Sequence, residues 1–349
     1  NGVASDNNAT AHPDVLAAMT RATDGHAPAY GHDPWTARAE ELLRAQFGED
    51  AVCFLVFNGS AANVLCFRAM CRAWESVICP QTAHVNVDEA GAPEHIAGVK
   101  LQAVPTPDGK LTPALVEAQI GRIGDEHAVQ QRVVSVSQST ELGTVYGVDE
   151  LAALADCAHA HDLLLHVDGA RLSNAAAALD VPLRAIATDA GVDALSFGGT
   201  KNGLVMGEAV ILLRPGLADG FEYLRKQTLQ LASKGRFLAA QFIALLDDDL
   251  WRRNAGHANA MAARLHAALA GVPGVAMTQP VQANALFAVL PAAATRALQD
   301  EWHFYTWNEA TGEVRLMCSW DTTAEEVDAF AAAVTSACAA AEVGRYGGV

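Results

Sequence analysis

Much of the chain alternates short apolar runs with stretches that carry apolar residues at helical spacing. Each apolar run is continuous rather than alternating, which is typical of a strand covered on both faces of its sheet. Strands that alternate with helices in this way predict an α/β domain built on a mostly parallel sheet. We predict these strands at 51–57, 76–79, 132–137, 163–167, 194–197 and 209–213.

The helical stretches lie between these strands and continue beyond them. The stretch 35–47 ends at Gly48, as helices commonly do. One long helix is predicted over 237–255, leading into a second domain. The remaining elements predict a smaller α+β domain, so we divide the chain into a large domain, 1–250, and a small C-terminal domain, 251–349. The other predicted elements are helices at 61–74, 149–161, 257–270 and 325–341 and strands at 284–290 and 313–318.

The charge balance restricts the class of partner. The 349 residues include 40 acidic and 23 basic side chains, for a formal net charge of −17. Nucleic acids and anionic membranes require a dense basic surface, so we expect neither as a partner. No run approaches the roughly 20 apolar residues of a membrane span, and no signal-peptide pattern is visible. The seven cysteines form no C-x-x-C pair and read as reduced thiols, so we expect a soluble cytoplasmic protein, and we predict no metal site.

Lys201 is the strongest candidate for chemistry. It follows the strand predicted at 194–197, within the run LSFGGTKNG, and glycines flank it on both sides. A lysine in a tight, partly dry turn loses solvation, which lowers its pKa and makes its amine a nucleophile. Asp168 ends another buried strand in the run LLLHVDGAR, and a carboxylate there suits a pyridinium nitrogen. Together they indicate a Schiff-base lysine and its partner for pyridoxal phosphate.

A turn into a helix is predicted at FNGSAAN, residues 57–63. Gly59 allows the turn and Ser60 begins the helix, where free N–H groups and the helix dipole favour a phosphate. An ordinary turn with Ser60 as the N-cap explains the run as well and, taken alone, is favoured. The run is neither G-x-G-x-x-G nor a Walker loop, so it gives no support to nucleotide binding.

Three further side chains have both a functional and an ordinary interpretation. His84 follows the strand predicted at 76–79, where ligand sites of α/β proteins gather, although a lone histidine is more often structural. Arg171 could bind an anion in a bidentate manner, or form an internal ion pair with Asp168. Arg315 could hold a substrate carboxylate, although the sequence slightly favours a surface position.

The chain resembles the low-specificity L-threonine aldolases, pyridoxal-phosphate enzymes of the β-eliminating lyase superfamily. The resemblance covers nearly the whole chain, and the HVDGAR and GGTKNG motifs at their observed spacing are its most specific part. It implies the fold type I of these enzymes: a large domain with a mostly parallel seven-stranded sheet between helices, plus a small C-terminal α+β domain. The matching runs are SDN (5–7), YGHDPWT (30–36), FNGSAAN, HVNVDEAGAPE (84–94), HVDGAR (166–171), SFGGTKNG (196–203), QLASKGRF (230–237) and RLMCSWD (315–321).

The resemblance also implies roles for individual residues. Lys201 would bond to the cofactor, His84 would stack on its ring and Asp168 would hold the pyridine nitrogen. The phosphate would be held by Gly59 and Ser60, and Arg171 would lie near the cofactor hydroxyl. The substrate carboxylate would be gripped by Ser5, Arg171 and Arg315. The enzyme would be a homotetramer, a dimer of dimers, in which Tyr30 and the region of Lys234 approach the site from a neighbouring subunit.

One departure from the family pattern concerns the base. Many members have a second active-site histidine after the strand predicted here at 132–137, and the nearest matching position in this chain is Glu141. We expect His84 to take the proton of the β-hydroxyl, with Glu141 assisting. The implied reaction cleaves L-threonine, L-allo-threonine or a relative such as phenylserine to glycine and an aldehyde. The alternatives are β-elimination by another fold type I lyase, or a non-catalytic binding protein.

Overall fold

A mostly parallel sheet of seven strands forms the centre of the large domain in the computed structural model, which describes residues 2–346 and their side chains as far as residue 342. The strand order is β1-β7-β6-β5-β4-β2-β3, and only β7 runs antiparallel to its neighbours. The predicted α/β fold is confirmed. The edge strand β3 was missed because its residues are mostly exposed or half-buried and its sequence, KLQAV, mixes polar and apolar positions. The strands are β1 (Val52–Val56), β2 (Glu75–Pro80), β3 (Lys100–Val104), β4 (Gln130–Ser137), β5 (Leu164–Gly169), β6 (Ala194–Gly198) and β7 (Glu208–Leu212).

Helices cover both faces of this sheet, which explains why its central strands are apolar throughout. On β5, Leu165 and Val167 pack into one core, while Leu164 packs into the core on the other face. No helix within residues 2–346 has both the length and the apolar character needed to cross a membrane. The helices are α1 (Pro13–Arg21), α2 (Pro34–Phe47), α3 (Gly59–Met70), α4 (His84–Val87), α5 (Pro113–Glu117), α6 (Val148–Ala160), α7 (Leu172–Leu179), α8 (Phe221–Gln227), α9 (Arg236–Leu246), α10 (Leu250–Leu269), α11 (Ala292–Gln299) and α12 (Ala324–Tyr346).

A second, antiparallel sheet forms the smaller C-terminal unit together with α10, α11 and α12. Its strands are β8 (Ala276–Met277), β9 (Ala285–Val289), β10 (Tyr305–Asn308) and β11 (Glu313–Met317), in the order β10-β11-β9-β8. Val3 packs into the core of this unit, and its carbonyl accepts a hydrogen bond from Met317 N at 2.7 Å. The N-terminal segment therefore packs against the small sheet. The division at residue 250 stays a prediction, and residues 347–349 lie outside the described part of the chain.

The prediction of one long helix over 237–255, followed by another from 257, is wrong. The chain breaks at Asp247–Asp249, and α10 then runs without interruption from Leu250 through Gly256. Asp248 and Asp249 have φ values of 55° and 51°, which a right-handed helix does not contain. Aspartate is a poor helix former, and three adjacent carboxylates repel one another, so the helix ends there although apolar residues continue at helical spacing.

Candidate active site

The C-terminal ends of β1, β2, β4, β5 and β6 lie along one edge of the large sheet because these strands are parallel. A cavity of about 300 Å³ opens at this edge, the usual position of ligand sites in α/β folds. The residues of its wall come from these strand ends, from the segments that follow them, from the N-terminal turn and from the start of β7. They are Asn7, Phe57, Asn58, Gly59, Ser60, Asn63, His84, Glu89, Ser137, Ser139, Glu141, Asp168, Ala170, Arg171, Thr200, Lys201, Met206 and Glu208.

Lys201 reaches the cavity from a short turn, Thr200–Asn202, that directly follows β6. The turn is closely packed: a Cβ at Gly199 would lie 2.3 Å from Leu204 Cδ1 and 2.8 Å from the Gly207 carbonyl oxygen. Burial lowers the pKa of Lys201, and the nearby Arg171 guanidinium lowers it further. Both effects favour the neutral amine, which is the nucleophilic form.

Glu208 is a second buried ionisable group beside this lysine. It begins β7, where it pairs with Val56 on one side and Gly198 on the other. Its Oε2 accepts a hydrogen bond from Gly199 N at 3.0 Å. Burial raises the pKa of Glu208 to about 7, so the site contains a carboxyl group that gains and loses a proton near neutral pH.

The helix start at Gly59 has the properties of a phosphate site. Gly59 is the first residue of α3, and the N-cap Asn58 accepts a hydrogen bond from Ala61 N at 2.9 Å. A Cβ added at Gly59 would meet no protein atom within 4 Å, and both Gly59 and Ser60 line the cavity. The backbone N–H groups of the first turn therefore border open space, where the helix dipole favours an anion.

Asp168 lies at the end of β5 and takes part in a chain of polar contacts. Its Oδ1 accepts a hydrogen bond from Ala170 N at 3.0 Å, and its Oδ2 accepts one from Asn63 Nδ2 at 2.8 Å. The same amide donates to Glu89 Oε1 at 2.9 Å, and that oxygen lies 2.9 Å from His84 Nδ1. The carboxylate predicted to meet a ring nitrogen is thus linked to the predicted stacking histidine.

Glu141 lies on the wall beside His84. Its Oε1 accepts hydrogen bonds from His84 N at 2.9 Å and from Ser137 Oγ at 2.5 Å. Its Oε2 is buried and has no hydrogen-bond partner among residues 2–346. Burial raises the pKa of Glu141, so its protonated form persists to a higher pH than in a free glutamate.

Arg171 forms its ion pair with Asp6, at 2.6 Å from Nε to Oδ2, and not with Asp168 as the ordinary interpretation suggested. Arg315 does not line the cavity; its Nη2 donates to the Ala4 carbonyl at 3.2 Å and its guanidinium lies over the Trp307 ring. Burial and the positive charge of Arg171 lower the pKa of Arg315. The Nε of Arg315 is buried without an acceptor in the described part of the chain. An anion between the two guanidinium groups would give this Nε an acceptor and would offset the repulsion between the two positive charges.

Besides Arg315, three of the residues expected at the site do not line this cavity. Ser5 caps the first turn, where its Oγ accepts a hydrogen bond from Asn7 N at 3.2 Å, and Asn7 lines the cavity in its place. The side chain of Tyr30 is exposed, and its backbone N–H donates a hydrogen bond to the Ser233 carbonyl at 2.9 Å. Lys234 lines a separate surface depression. An isolated chain therefore lacks the contacts expected from Tyr30 and Lys234.

Several polar residues of the cavity were not predicted. Asn63 is a polar residue between apolar neighbours in helix α3, and Glu208 opens an otherwise apolar strand. Glu89 lies five residues after His84, within the run already quoted for the resemblance. A polar residue directly beside a predicted strand is a signal that would have identified Glu208, whereas Asn63 and Glu89 lie too far from the predicted strand ends for that signal to apply.

One group of potential metal ligands occurs among the described residues, although the sequence predicted no metal site. Glu117, Cys157 and His161 place their ligand atoms within 4.8 Å of one another. The group is partly exposed and lies where α6 leads into the start of β5, at the opposite edge of the sheet from the cavity.

Comparisons with known proteins agree with this geometry. The family model described as beta-eliminating lyase matches residues 3–293. A low-specificity L-threonine aldolase of Pseudomonas aeruginosa is 48% identical over 326 residues, which cover 93% of this chain and 94% of that protein. This chain belongs to the low-specificity L-threonine aldolases of the beta-eliminating lyase family.

Other members of the family and more distant structures extend the comparison. A low-specificity L-threonine aldolase of a Pseudomonas species is 45% identical over 94% of this chain and 95% of its own. The solved threonine aldolase of Leishmania major superposes with a TM-score of 0.91 at 32% identity, covering 96% of this chain and 98% of its own. A serine palmitoyltransferase of Sphingomonas wittichii, at 17% identity and a TM-score of 0.75, shares the fold. The fold is therefore fold type I, as the resemblance implied.

Proposed function

We propose that this chain is a pyridoxal-phosphate-dependent lyase that cleaves L-threonine, L-allo-threonine or a related β-hydroxy-α-amino acid, such as phenylserine, to glycine and an aldehyde, reversibly. Identity of 48% to an aldolase over 93% of the chain supports the reaction class. The observation that carries the proposal is that Lys201, with its lowered pKa, shares one cavity with Asp168 and the open helix start at Gly59.

The residues present fit the cofactor. Lys201 would bond to its aldehyde carbon, Asp168 would bind the ring nitrogen, His84 would stack on the ring, and Gly59 and Ser60 would hold the phosphate. The space that a Cβ at Gly59 would fill supports the phosphate position. When bound, pyridoxal phosphate supplies an electron sink for the charge left when a bond to the α-carbon breaks.

Arg171 and Arg315 would bind the substrate carboxylate and so orient the bond that breaks. Their mutual repulsion and the unpaired Nε of Arg315 support an anion between them. Fixing the carboxylate at two points restricts rotation about the α-carbon, and orientation of this kind supplies much of an enzyme's selectivity. Ser5 would assist only after a movement of the first turn, because its Oγ now caps that turn.

His84, directly or through a water molecule, would take the proton of the β-hydroxyl, with Glu141 assisting. The hydrogen bond with Glu89 raises the pKa of His84, although burial opposes this shift. Glu141 could accept or return a proton at its Oε2, which has no hydrogen-bond partner among the described residues. A general base of this kind contributes about 10²–10⁴-fold to the rate.

We further propose a cytoplasmic homotetramer in which Tyr30 and Lys234 complete the site of a neighbouring subunit. Tyr30, Met206 and Leu229 are large apolar side chains exposed to solvent, and Met206 also borders the cavity. Apolar side chains at the rim of a cavity are suited to contact with a second protein surface.

Product analysis tests the reaction class. With pyridoxal phosphate present, L-threonine should give glycine and acetaldehyde in equal amounts, and Lys201→Ala should abolish both products. The competing β-elimination by another lyase of the same fold would give ammonia and a keto acid instead. Lys100→Ala, an exposed lysine on β3, is the matched control and should retain full activity.

A further inference from the structure

Glu89 is a buried carboxylate that the proposal above assigns no place in the reaction beyond its effect on the pKa of His84. Its side chain is completely buried, and its Oε1 lies 2.9 Å from Nδ1 of His84, the proposed base. It reaches the cavity from the segment that follows α4, five residues beyond the histidine. A carboxylate held this close to one nitrogen of an imidazole determines which nitrogen carries the proton.

The surroundings of Glu89 hold it in the role of acceptor. Asn63 donates its side-chain amide to Glu89 Oε1 at 2.9 Å and to Asp168 Oδ2 at 2.8 Å. The amide nitrogen has two hydrogens and lies between two carboxylates, so this orientation of Asn63 gives each carboxylate a donor. Because Glu89 Oε1 is the oxygen that accepts the Asn63 amide hydrogen, it is also placed to accept the hydrogen of His84 Nδ1.

The consequence for His84 concerns its other nitrogen. A neutral imidazole carries one hydrogen, so a proton fixed on Nδ1 leaves the lone pair on Nε2. The charged groups that act on His84 besides Glu89 are Asp168, which favours its protonated form, and Lys201, which opposes it. Glu141 accepts a hydrogen bond from the backbone N–H of His84 and not from either nitrogen of the imidazole ring.

We propose that Glu89 is a positioning residue that holds His84 as the Nδ1–H tautomer and reserves Nε2 to accept the substrate's proton. The tautomer itself is a property of this chain's own residues. Only the acceptance of the substrate's proton rests on the proposed function.

The tautomer can be measured without cofactor or substrate. Protein labelled with ¹⁵N-histidine gives separate NMR signals for protonated and unprotonated ring nitrogens, and His84→Asn identifies the signals of His84 by their loss. We expect the wild-type protein to show a protonated Nδ1 and an unprotonated Nε2 at high pH. A protonated Nε2 in the wild-type protein would overturn the proposal, and this result needs no variant at residue 89.

Variants test the cause. In Glu89→Gln, whose side chain can donate as well as accept, His84 should become a mixture of tautomers, and its titration midpoint should move to lower pH. Glu94→Gln, an exposed glutamate in the same segment, is the control and should leave both unchanged. If His84 keeps its tautomer and midpoint in Glu89→Gln, Glu89 does not position it.

Kinetics of the loaded enzyme then separate the tautomer from the reaction. In Glu89→Gln, kcat for L-threonine should fall about 10- to 100-fold, the loss typical of residues that orient metal-bound histidines, with little change in KM. The acidic limb of the pH profile should move to lower pH, and Glu89→Asp should restore part of kcat. A confirmed tautomer in a protein that forms no glycine would contradict the proposed function alone. Full turnover in Glu89→Gln would contradict the positioning role.

Discussion

The guanidinium of Arg171 donates to both carboxylate oxygens of Asp6, at 2.6 Å from Nε and 2.8 Å from Nη2. Asn284 Nδ2 donates to the same carboxylate at 3.1 Å. Burial alone would raise the pKa of Asp6, but the Arg171 guanidinium outweighs it and holds the pKa below its usual value. This bidentate pair joins the first turn of the chain to the end of β5 and the small sheet, so the N-terminal segment is part of the site's framework.

Asp6→Asn should therefore destabilise the protein strongly, because it leaves Arg171 charged and unpaired in a buried position. Breaking one partner of such a pair costs about 3–5 kcal/mol of the free energy of unfolding. Urea denaturation measures this loss. Asp189→Asn breaks the exposed pair with Arg184 and should leave the unfolding midpoint unchanged. An Asp6→Asn protein as stable as wild type would show that the pair does not hold the segment in place.

Gly59→Ala separates cofactor binding from folding. Since the added Cβ meets no protein atom, the free energy of unfolding of the cofactor-free protein should be unchanged or rise by up to about 1 kcal/mol. The dissociation constant for pyridoxal phosphate should increase, because the methyl group enters the space assigned to the phosphate. Gly256→Ala in α10, where a Cβ also meets nothing, should stabilise the protein and leave cofactor binding unchanged. Equal cofactor binding by the two variants would place the phosphate elsewhere.

Glu141 makes the rate depend on pH. It can accept a proton only when ionised, and burial raises its pKa, so kcat/KM should increase with pH through a range above that of a free glutamate. Glu141→Gln should lower kcat/KM for L-threonine by less than the roughly 10²–10⁴-fold of a full general base, and it should remove the contribution of Glu141 to the pH profile while the contribution of His84 remains. Steady-state kinetics across pH measure both effects. Glu117→Gln is an exposed control that should behave as wild type. A Glu141→Gln enzyme with the wild-type pH profile would exclude the assisting role.

Glu208 makes stability depend on pH. Its folded pKa of about 7 exceeds the ordinary value of 4.5, so its contribution is fully present below pH 4.5 and is lost as pH rises through 7. The loss is about 3 kcal/mol at most. The buried His166, whose pKa burial lowers to about 4, acts in the opposite direction and loses its contribution as pH falls. In denaturant titrations of cofactor-free protein, the free energy of unfolding of Glu208→Gln should therefore rise relative to that of the wild type as the pH increases from 5 to 8. A constant difference would contradict the shifted pKa.

The local pattern of the sequence was enough to predict those elements whose residues are mostly apolar. Strands such as β5 are buried on both faces, so a continuous apolar run identifies them. It missed β3 because an edge strand has exposed positions, and β10 because no residue of that strand is fully buried. The break before α10 depends on backbone angles at Asp248 and Asp249 that hydrophobic spacing does not record.

The candidate site was predicted where its residues follow strand ends and motifs, as Lys201 and Asp168 do. Its partners were not, because they are set by contacts between distant segments. Asp6 lies 165 positions from Arg171, and nothing in either local sequence indicates the other. Glu89 depends on the orientation of two side chains after the fold has formed.

Mapping the cofactor attachment tests the central claim most directly. Protein loaded with pyridoxal phosphate is reduced with borohydride, which makes the carbon–nitrogen bond to a lysine permanent, and is then digested and analysed by mass spectrometry. We predict that the cofactor mass is found on Lys201 and is absent from the Lys201→Ala protein. A label on another lysine, or none in a protein that still converts L-threonine, would contradict the account.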